Sequence, residues 1–325
     1  MHLQEKKLIE AAKKYGIQVT DLNPFGELNT LAFEYQGIEE WFYQGAPITQ
    51  MTYQTRLMCS NKQLTKRLLK KLNLPHPQSI VFQDFNKDTQ LINRFWSNGR
   101  SYVCKPLNGS EGYDVEMNID TKEKLKAVWE RHKKHYSSFL LEEQIEGSDI
   151  RMHIIRGKAA AVCVRKPAYV MGNGVDSLAS LIDARRAVIN TQNPANHLRL
   201  DEASWELLEK QQLTLESVPA DGQKVTLKYI ANMTHGGIAV DITHELHPSY
   251  QQWVTQLSTH LNVSIFGLDL ISKDYTKAPT ETDTVVLEIN AYPDWLHHTF
   301  SEVRQHDIPT MLLKALFPIS DKIPA

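Results

Sequence analysis

The stretch K-P-L-N-G-S-E-G at 105–112 decides how the rest of the chain is read. A lysine closes the apolar segment S-Y-V-C, and a glycine-rich loop follows at once. Gly109 and Gly112 let backbone N–H groups approach a phosphate closely, and Ser110 adds a hydroxyl. The flexible ammonium of Lys105 reaches triphosphate oxygens from a strand end. Alone, such a loop also fits an ordinary surface hairpin. It gains meaning from E-E-Q-I-E-G-S-D-I-R at 142–151, the pair Gly236-Gly237, Asp269 in an apolar run, and E-I-N at 288–290, which together describe a nucleotide and metal site. No G-K-[ST] follows the glycines, which disfavours a P-loop.

The two acidic segments read as strands. Side chains alternate between faces, so Gly267, Asp269 and Ile271 point one way while Leu268 and Leu270 point the other. On the second strand Val286, Glu288 and Asn290 share a face by the same rule. If the strands pair, Asp269, Glu288 and Asn290 converge as hard oxygen ligands of the kind Mg²⁺ prefers. Structural pairing of the two acids with Arg or Lys is the alternative. Carboxylates in apolar strands need compensation, and no basic residue lies beside these in sequence, which favours the metal.

Composition limits the rest. The chain has 325 residues, 42% of them hydrophobic, and can bury roughly three quarters of its unfolded surface. A formal net charge of -2 offers no whole-chain attraction to nucleic acid or anionic membrane. The N-terminal segment has no apolar signal region and nothing approaches a membrane span, so a cytoplasmic location is expected. Cys59, Cys104 and Cys163 are odd in number and widely spaced, as reduced thiols would be. The histidine pairs 132/135 and 244/247 lack ligand partners at zinc spacing and read as surface residues.

Along the chain, a helix over 3–15 and a strand over 17–22 open a small α/β region, and T-L-A-F-E-Y and E-E-W-F-Y-Q-G suggest short strands. Ser60 with Gln63 reads as a capping box opening a helix that buries Leu64, Leu68 and Leu72, its lysines solvated. Strands then alternate with helices at 120–135, 177–190, 201–211 and from Pro248, where Trp253, Leu257 and Leu261 form a stripe, and K-V-T-L-K-Y-I reads as a strand. A short helix at P-T-M-L-L-K-A-L-F-P closes the chain. The fold class is α+β.

Seven stretches in fixed order resemble the ATP-grasp superfamily, and within it the ligase domain of cyanophycin synthetases and of bifunctional glutathione-forming enzymes. They are N-K-Q-L-T-K-R-L-L at 61–69, the glycine loop, E-G-S-D-I-R-M-H-I-I at 146–155, R-K-P-A-Y-V-M-G-N-G-V at 165–175, L-T-L-E-S-V-P-A-D-G-Q at 213–223, A-N-M-T-H-G-G-I-A-V-D-I-T at 231–243, and G-L-D-L-I with E-I-N-A-Y-P. The resemblance implies two α+β lobes clasping ATP across 60–318, a nucleotide-lid lobe at about 76–142 and a catalytic and metal lobe at about 143–318, after a small region 1–59 and before a tail 319–325. It implies a stand-alone ligase: a carboxylate takes the γ-phosphate, an amine displaces the acyl phosphate, and ADP and phosphate leave. Lys105 would hold phosphate with Gly109, Ser110 and Gly112; Glu142, Glu143 and the backbone to Ile145 would line the adenine hinge; Asp149 would meet the ribose or a basic substrate group. Arg165, Lys228, Asn232, Gly236 and Gly237 would serve catalysis, and Asp269, Glu288 and Asn290 would hold two Mg²⁺, with Mn²⁺ as a substitute. Arg151, His235, Asp294 and His298 are the candidate substrate contacts, and Trp295 would wall the same pocket or belong to the core.

The chain departs from that pattern in L-K-Y-I-A-N, which puts Lys228 where arginine is expected and Ile230 where asparagine is, in His235 before the glycine pair, in Asn173 between Gly172 and Gly174, and in Asp294 after the late proline. Lysine keeps the charge but loses the bidentate fork. These changes fall where the acyl donor or acceptor should sit, which implies ATP chemistry on an unusual amino acid or short-peptide substrate. An ATP-grasp kinase and a binding module without turnover are the competing readings. No nucleic-acid or membrane partner is expected, and a homodimer is favoured by the frequency of twofold oligomers.

Overall fold

The computed structural model describes residues 2–22, 29–108, 114–193 and 196–320. Helix α1 (Leu3–Lys14) leads into an antiparallel sheet of β1 (Gln18–Asp21), β2 (Thr30–Tyr35), β3 (Ile38–Tyr43) and β4 (Ala46–Pro47). Then come α2 (Tyr53–Ser60) and α3 (Lys62–Lys71). Ser60 therefore ends one helix rather than opening the next. The cap of α3 is Asn61, whose side-chain oxygen accepts from the amides of Gln63 and Leu64. The buried stripe of α3 is Leu68 and Leu69, with Leu64 and Leu72 half-buried.

A second unit follows: β5 (Ser79–Phe82), α4 (Thr89–Phe95), β6 (Tyr102–Pro106), β7 (Glu116–Ile119), α5 (Lys122–His132) and β8 (Phe139–Glu143), its sheet ordered β5-β8-β6-β7. Leu125, Val128 and Trp129 of α5 face inward onto Phe82, Tyr102 and Phe139, as the helical spacing predicts. The glycine loop residues Gly109, Ser110 and Gly112 lie outside the described residues.

The rest is built on β9 (Ser148–Ile155) and β10 (Lys158–Lys166), followed by β11 (Tyr169–Met171), α6 (Leu178–Gln192), α7 (Glu202–Lys210), β12 (Lys224–Thr226), β13 (Ile238–Asp241), α8 (Tyr250–Leu261), β14 (Phe266–Ser272), β15 (Thr284–Asn290), α9 (Leu296–Thr299) and α10 (Ile308–Leu316). The central sheet runs β13-β10-β9-β14-β15, while β11 and β12 pair separately and share a small core with α6 and α7. Strand β12 stops at Thr226, so Lys228 lies beyond the strand expected there. In α8 the buried residues are Tyr250, Val254, Leu257 and Leu261, and Trp253 is only half-buried.

One face of the central sheet is apolar. Ile150, Met152, Ile154, Val162, Val164, Leu268, Leu270 and Val286 pack against Cys59, Leu68 and Leu69 of α2 and α3 and the stripe of α8. Each fully buried aliphatic side chain in such a layer contributes about 1.5–3 kcal/mol of burial free energy. The far end of the opposite face carries Ile155 and Ala161, which pack with Leu8, Phe33 and Phe42 of the N-terminal region and Leu312 and Leu313 of α10. The N-terminal region thus shares one core with the C-terminal helix. All three cysteines are free and buried, as expected of reduced thiols. Among the described residues no helix is long and apolar enough to cross a membrane.

Candidate active site

The near end of that opposite face carries the charges. Backbone register aligns Cys163, Arg151, Asp269 and Glu288 in one row across β10, β9, β14 and β15. A β-bulge lets Glu288 sit opposite Asp269 while Val286 sits opposite Leu270. Strict alternation would have kept Val286 with Glu288; the bulge turns it onto the apolar face instead. Asn290 donates 3.2 Å hydrogen bonds to both Asp269 and Glu288, so the three expected metal residues do meet.

Asp269 is not alone. Arg151 Nε stands 2.5 Å from its Oδ1, and Arg165 Nη2 3.5 Å from its Oδ2. The bases missing beside Asp269 in sequence come from other strands of the sheet, so this acid is compensated by arginines as well as joined to the other two expected ligands. Yet the Arg151 contact is misaligned: Nε and Oδ1 are both buried and neither makes a hydrogen bond. Arg165 is held on its other side by Asp149, which accepts from Nε at 3.1 Å and Nη2 at 2.6 Å. Asp149 therefore faces an arginine rather than an open ribose site. Burial first, and Asp269 second, push the Glu288 carboxyl above its ordinary range.

The lysine side of the site has a feature that the helical pattern concealed. Glu142 is buried between Lys105, in close contact with its Oε1, and Lys66 of α3, whose Nζ lies 3.0 Å from Oε2 and 3.0 Å from Pro77 O. Burial alone would raise the Glu142 carboxyl, but the two lysines outweigh it and hold it below the usual range. Glu142 is thus a counterion for lysines in this structure, and Glu143 pairs with Arg100. Lys66 is buried, not solvated, and half-buried Lys62 lies within the field of Glu288, Lys105 and Glu142, with its pKa lowered chiefly by burial. Ile145 is half-buried just after β8.

On the opposite flank, Lys228 is buried and pairs at 2.5 Å with Asp201, the N-cap of α7. The turn before β13 is locked from within. Gly236 adopts a φ of +92°, which glycine alone accepts easily, and its N–H donates to Asn196 Oδ1 at 2.6 Å. Gly237 N–H donates to Asn232 O at 3.0 Å, and Asn196 Nδ2 donates to Gly237 O. Both glycine amides are consumed, so this pair shapes the turn rather than presenting donors to a substrate. Asn232 caps the same turn through Thr234, and His235 meets Thr234 Oγ1 at 2.9 Å. Asn196, buried and bridging both glycines, carries no motif that would have revealed it.

Asp294 accepts from the Leu296 amide at 2.8 Å, an Asx turn that starts α9 and explains an acid after the late proline. Trp295 is fully buried and donates to Gly45 O at 2.9 Å, which makes it core. His298 is sealed as well: its ring lies 5.9 Å from that of His153, and none of the four ring nitrogens has a partner. It makes no open substrate contact. Burial first, then the Arg151 charge, push the His153 pKa down to about 3.

Among the described residues no cluster of three or more His, Cys, Asp or Glu side chains forms a metal cage. Two carboxylates and one amide are a hard-oxygen set, and the unsatisfied Asp269 Oδ1 with the proton-prone Glu288 fits a divalent cation shared with phosphate oxygens.

Curated relatives match most of the chain. The cyanophycin synthetase of Trichormus variabilis is 30% identical over 266 residues, covering 80% of this chain and 29% of that protein. The glutathione biosynthesis bifunctional protein of Pasteurella multocida is 27% identical over 298 residues, covering 89% of this chain and 39% of its own length. The crystal structure of a bifunctional glutathione synthetase from Pasteurella multocida superposes with a TM-score of 0.73 at 25% identity, over 98% of this chain and 44% of that one. The chain spans less than half of each of these relatives. The model of the ATP-grasp domain matches residues 59–293, most of the sequence, and the chain belongs to the ATP-grasp family.

Proposed function

We propose that the chain is an ADP-forming carboxylate–amine ligase that makes a peptide or isopeptide bond on an amino acid or short peptide. The observation that carries this reading is the set of Asp269, Glu288 and Asn290 joined across the bulge of β14 and β15, with Lys62 and Lys105 within its electrostatic reach. Acids opposite lysines are what a metal-bound triphosphate requires. Two of the relatives, a cyanophycin synthetase and a bifunctional glutathione synthetase by name, support the choice of ligation over phosphorylation of a hydroxyl.

In this reading a substrate carboxylate oxygen attacks the γ-phosphorus of ATP. The bond from that phosphorus to the β–γ bridging oxygen breaks and ADP leaves. An amine then adds to the acyl carbon of the acyl phosphate, the carbon–oxygen bond to phosphate breaks, and the amine proton passes to solvent. Lys62 and Lys105 steady the phosphates. Arg151 and Arg165, fixed on adjacent strands by Asp269 and Asp149, sit where the charge of an acyl phosphate develops. Phosphoryl transfer asks for positioning and charge neutralisation more than covalent chemistry. Asp269, Glu288 and Asn290 would hold Mg²⁺, which when bound neutralises and orients phosphate oxygens.

The test is release of ADP and phosphate from Mg-ATP across pooled amino acids, dipeptides, polyamines and small carboxylates, with Glu288→Ala as the blank. Release that requires both an amine and a carboxylate and vanishes in the variant is expected. ATP binding without release in any pool would overturn the reading.

A further inference from the structure

Most cations around the candidate site are held by internal acids, and Lys62 donates to Leu107 O at 3.5 Å. Lys66 and Lys105 are held by Glu142, Arg100 by Glu143, Arg151 by Asp269, Arg165 by Asp149 and Lys228 by Asp201. One arginine beside the segment after β15 is different. Arg56, exposed on α2, makes no ion pair among the described residues, and its guanidinium lies over the ring of Tyr292 at 5.0 Å from the centroid. Tyr292 in turn meets Tyr43 of β3 edge-on at 5.6 Å. Tyr292 follows Asn290 by two residues, so their Cα atoms are at most about 7 Å apart.

We infer that Arg56, oriented by Tyr292 and Tyr43, is the receptor for a substrate carboxylate that does not react, the α-carboxylate of the amino acid or peptide whose amine is the nucleophile. This rests on the ligase reading above. A planar guanidinium stacked on an aromatic face keeps its fork free for bidentate recognition of a carboxylate. The ion-paired cations already have internal acids, whereas the fork of Arg56 has no acid among the described residues and can take an incoming anion. It also explains why the N-terminal sheet packs on the segment after β15, where Gly45 accepts from Trp295 and Tyr43 touches Tyr292. Tyr43 and Arg56 both precede residue 59, where the match to the ATP-grasp domain begins. Substrate choice on this side would therefore involve the region that precedes the matched domain, a region also covered by the glutathione synthetase structure.

The experiment compares amino-acid acceptors with the corresponding amino-acid amides as amine substrates, following ADP release with a fixed carboxylate pool. The wild-type chain is expected to prefer the free acids. Arg56→Met should raise KM for the acids about ten- to hundredfold, the span expected for one charge-assisted contact, while KM for ATP and kcat on the amides stay unchanged. Arg56→Lys should recover part of the preference, and Tyr292→Leu should lose part of it, with melting temperatures unaltered for the exposed Arg56 variants. An unchanged acid-to-amide ratio in Arg56→Met, or no preference in the wild type, would overturn the proposal alone. No ADP release from the wild type with any acceptor would overturn the ligase reading and this proposal with it.

Discussion

The two faces of the central sheet are made of alternate residues of the same strands, yet they do opposite things. On β14, Leu268 and Leu270 face α2, α3 and α8, and Asp269 faces Arg151 and Asn290. One face is a dry layer whose energy comes from area. The other holds charges at a cost, with a misaligned ion pair, a desolvated Glu288 and four unpartnered imidazole nitrogens. Stability and chemistry are therefore separable along one strand, residue by residue. Removing a group from the first face should unfold the protein, and removing one from the second should silence it.

The largest expected effect is on the charged face. Glu288→Ala should lower ADP release by about a thousandfold or more, the scale of losing a preorganised electrostatic group, while the urea midpoint holds or rises because a desolvated carboxylate is gone. Loss of stability matching loss of activity would break the separation. Leu268→Ala on the other face should cost about 2–5 kcal/mol in urea unfolding and leave KM for ATP unchanged in the fraction still folded. Lys66→Met lies between the two. It should cost about 1–3 kcal/mol, because Glu142 keeps only Lys105, and it should raise KM for ATP as Glu142 then holds Lys105 more fully to itself.

The smallest effect is a pH slope. His153 titrates near 3 in the folded chain against 6.5 ordinarily, so below pH 6.5 the unfolded chain binds more protons than the folded one. The stability this group contributes is complete above about pH 6.5 and is lost as pH falls toward 3, by up to about 1.4 kcal/mol per pH unit. Urea midpoints at pH 7 and pH 5 should show His153→Leu losing about 2 kcal/mol less than the wild type over that interval.

The same contrast decides what could be read from the sequence. Alternation in G-L-D-L-I and the length of each apolar run were legible, so the strands and the meeting of Asp269, Glu288 and Asn290 could be anticipated. What stayed hidden depends on contacts between distant segments. Arg151 and Arg165 reach Asp269 only because β9 lies beside β14 and β10 lies beside β9. Lys66 reads as one more lysine on a polar helix face until β8 brings Glu142 against it. The bulge that parts Val286 from Glu288 leaves no mark in T-V-V-L-E-I-N. Asn61 took the cap from Ser60 because its longer side chain accepts two amides at once. Nothing in the sequence shows that the Gly236 N–H is taken by the buried amide of Asn196 and the Gly237 N–H by Asn232 O.

The most direct test of the account follows an oxygen atom. With the carboxylate substrate identified from the pools and labelled with ¹⁸O in both carboxylate oxygens, the phosphate released during turnover should carry one ¹⁸O, transferred when the acyl phosphate is broken by the amine. Unlabelled phosphate from a reaction that consumes both substrates would contradict it.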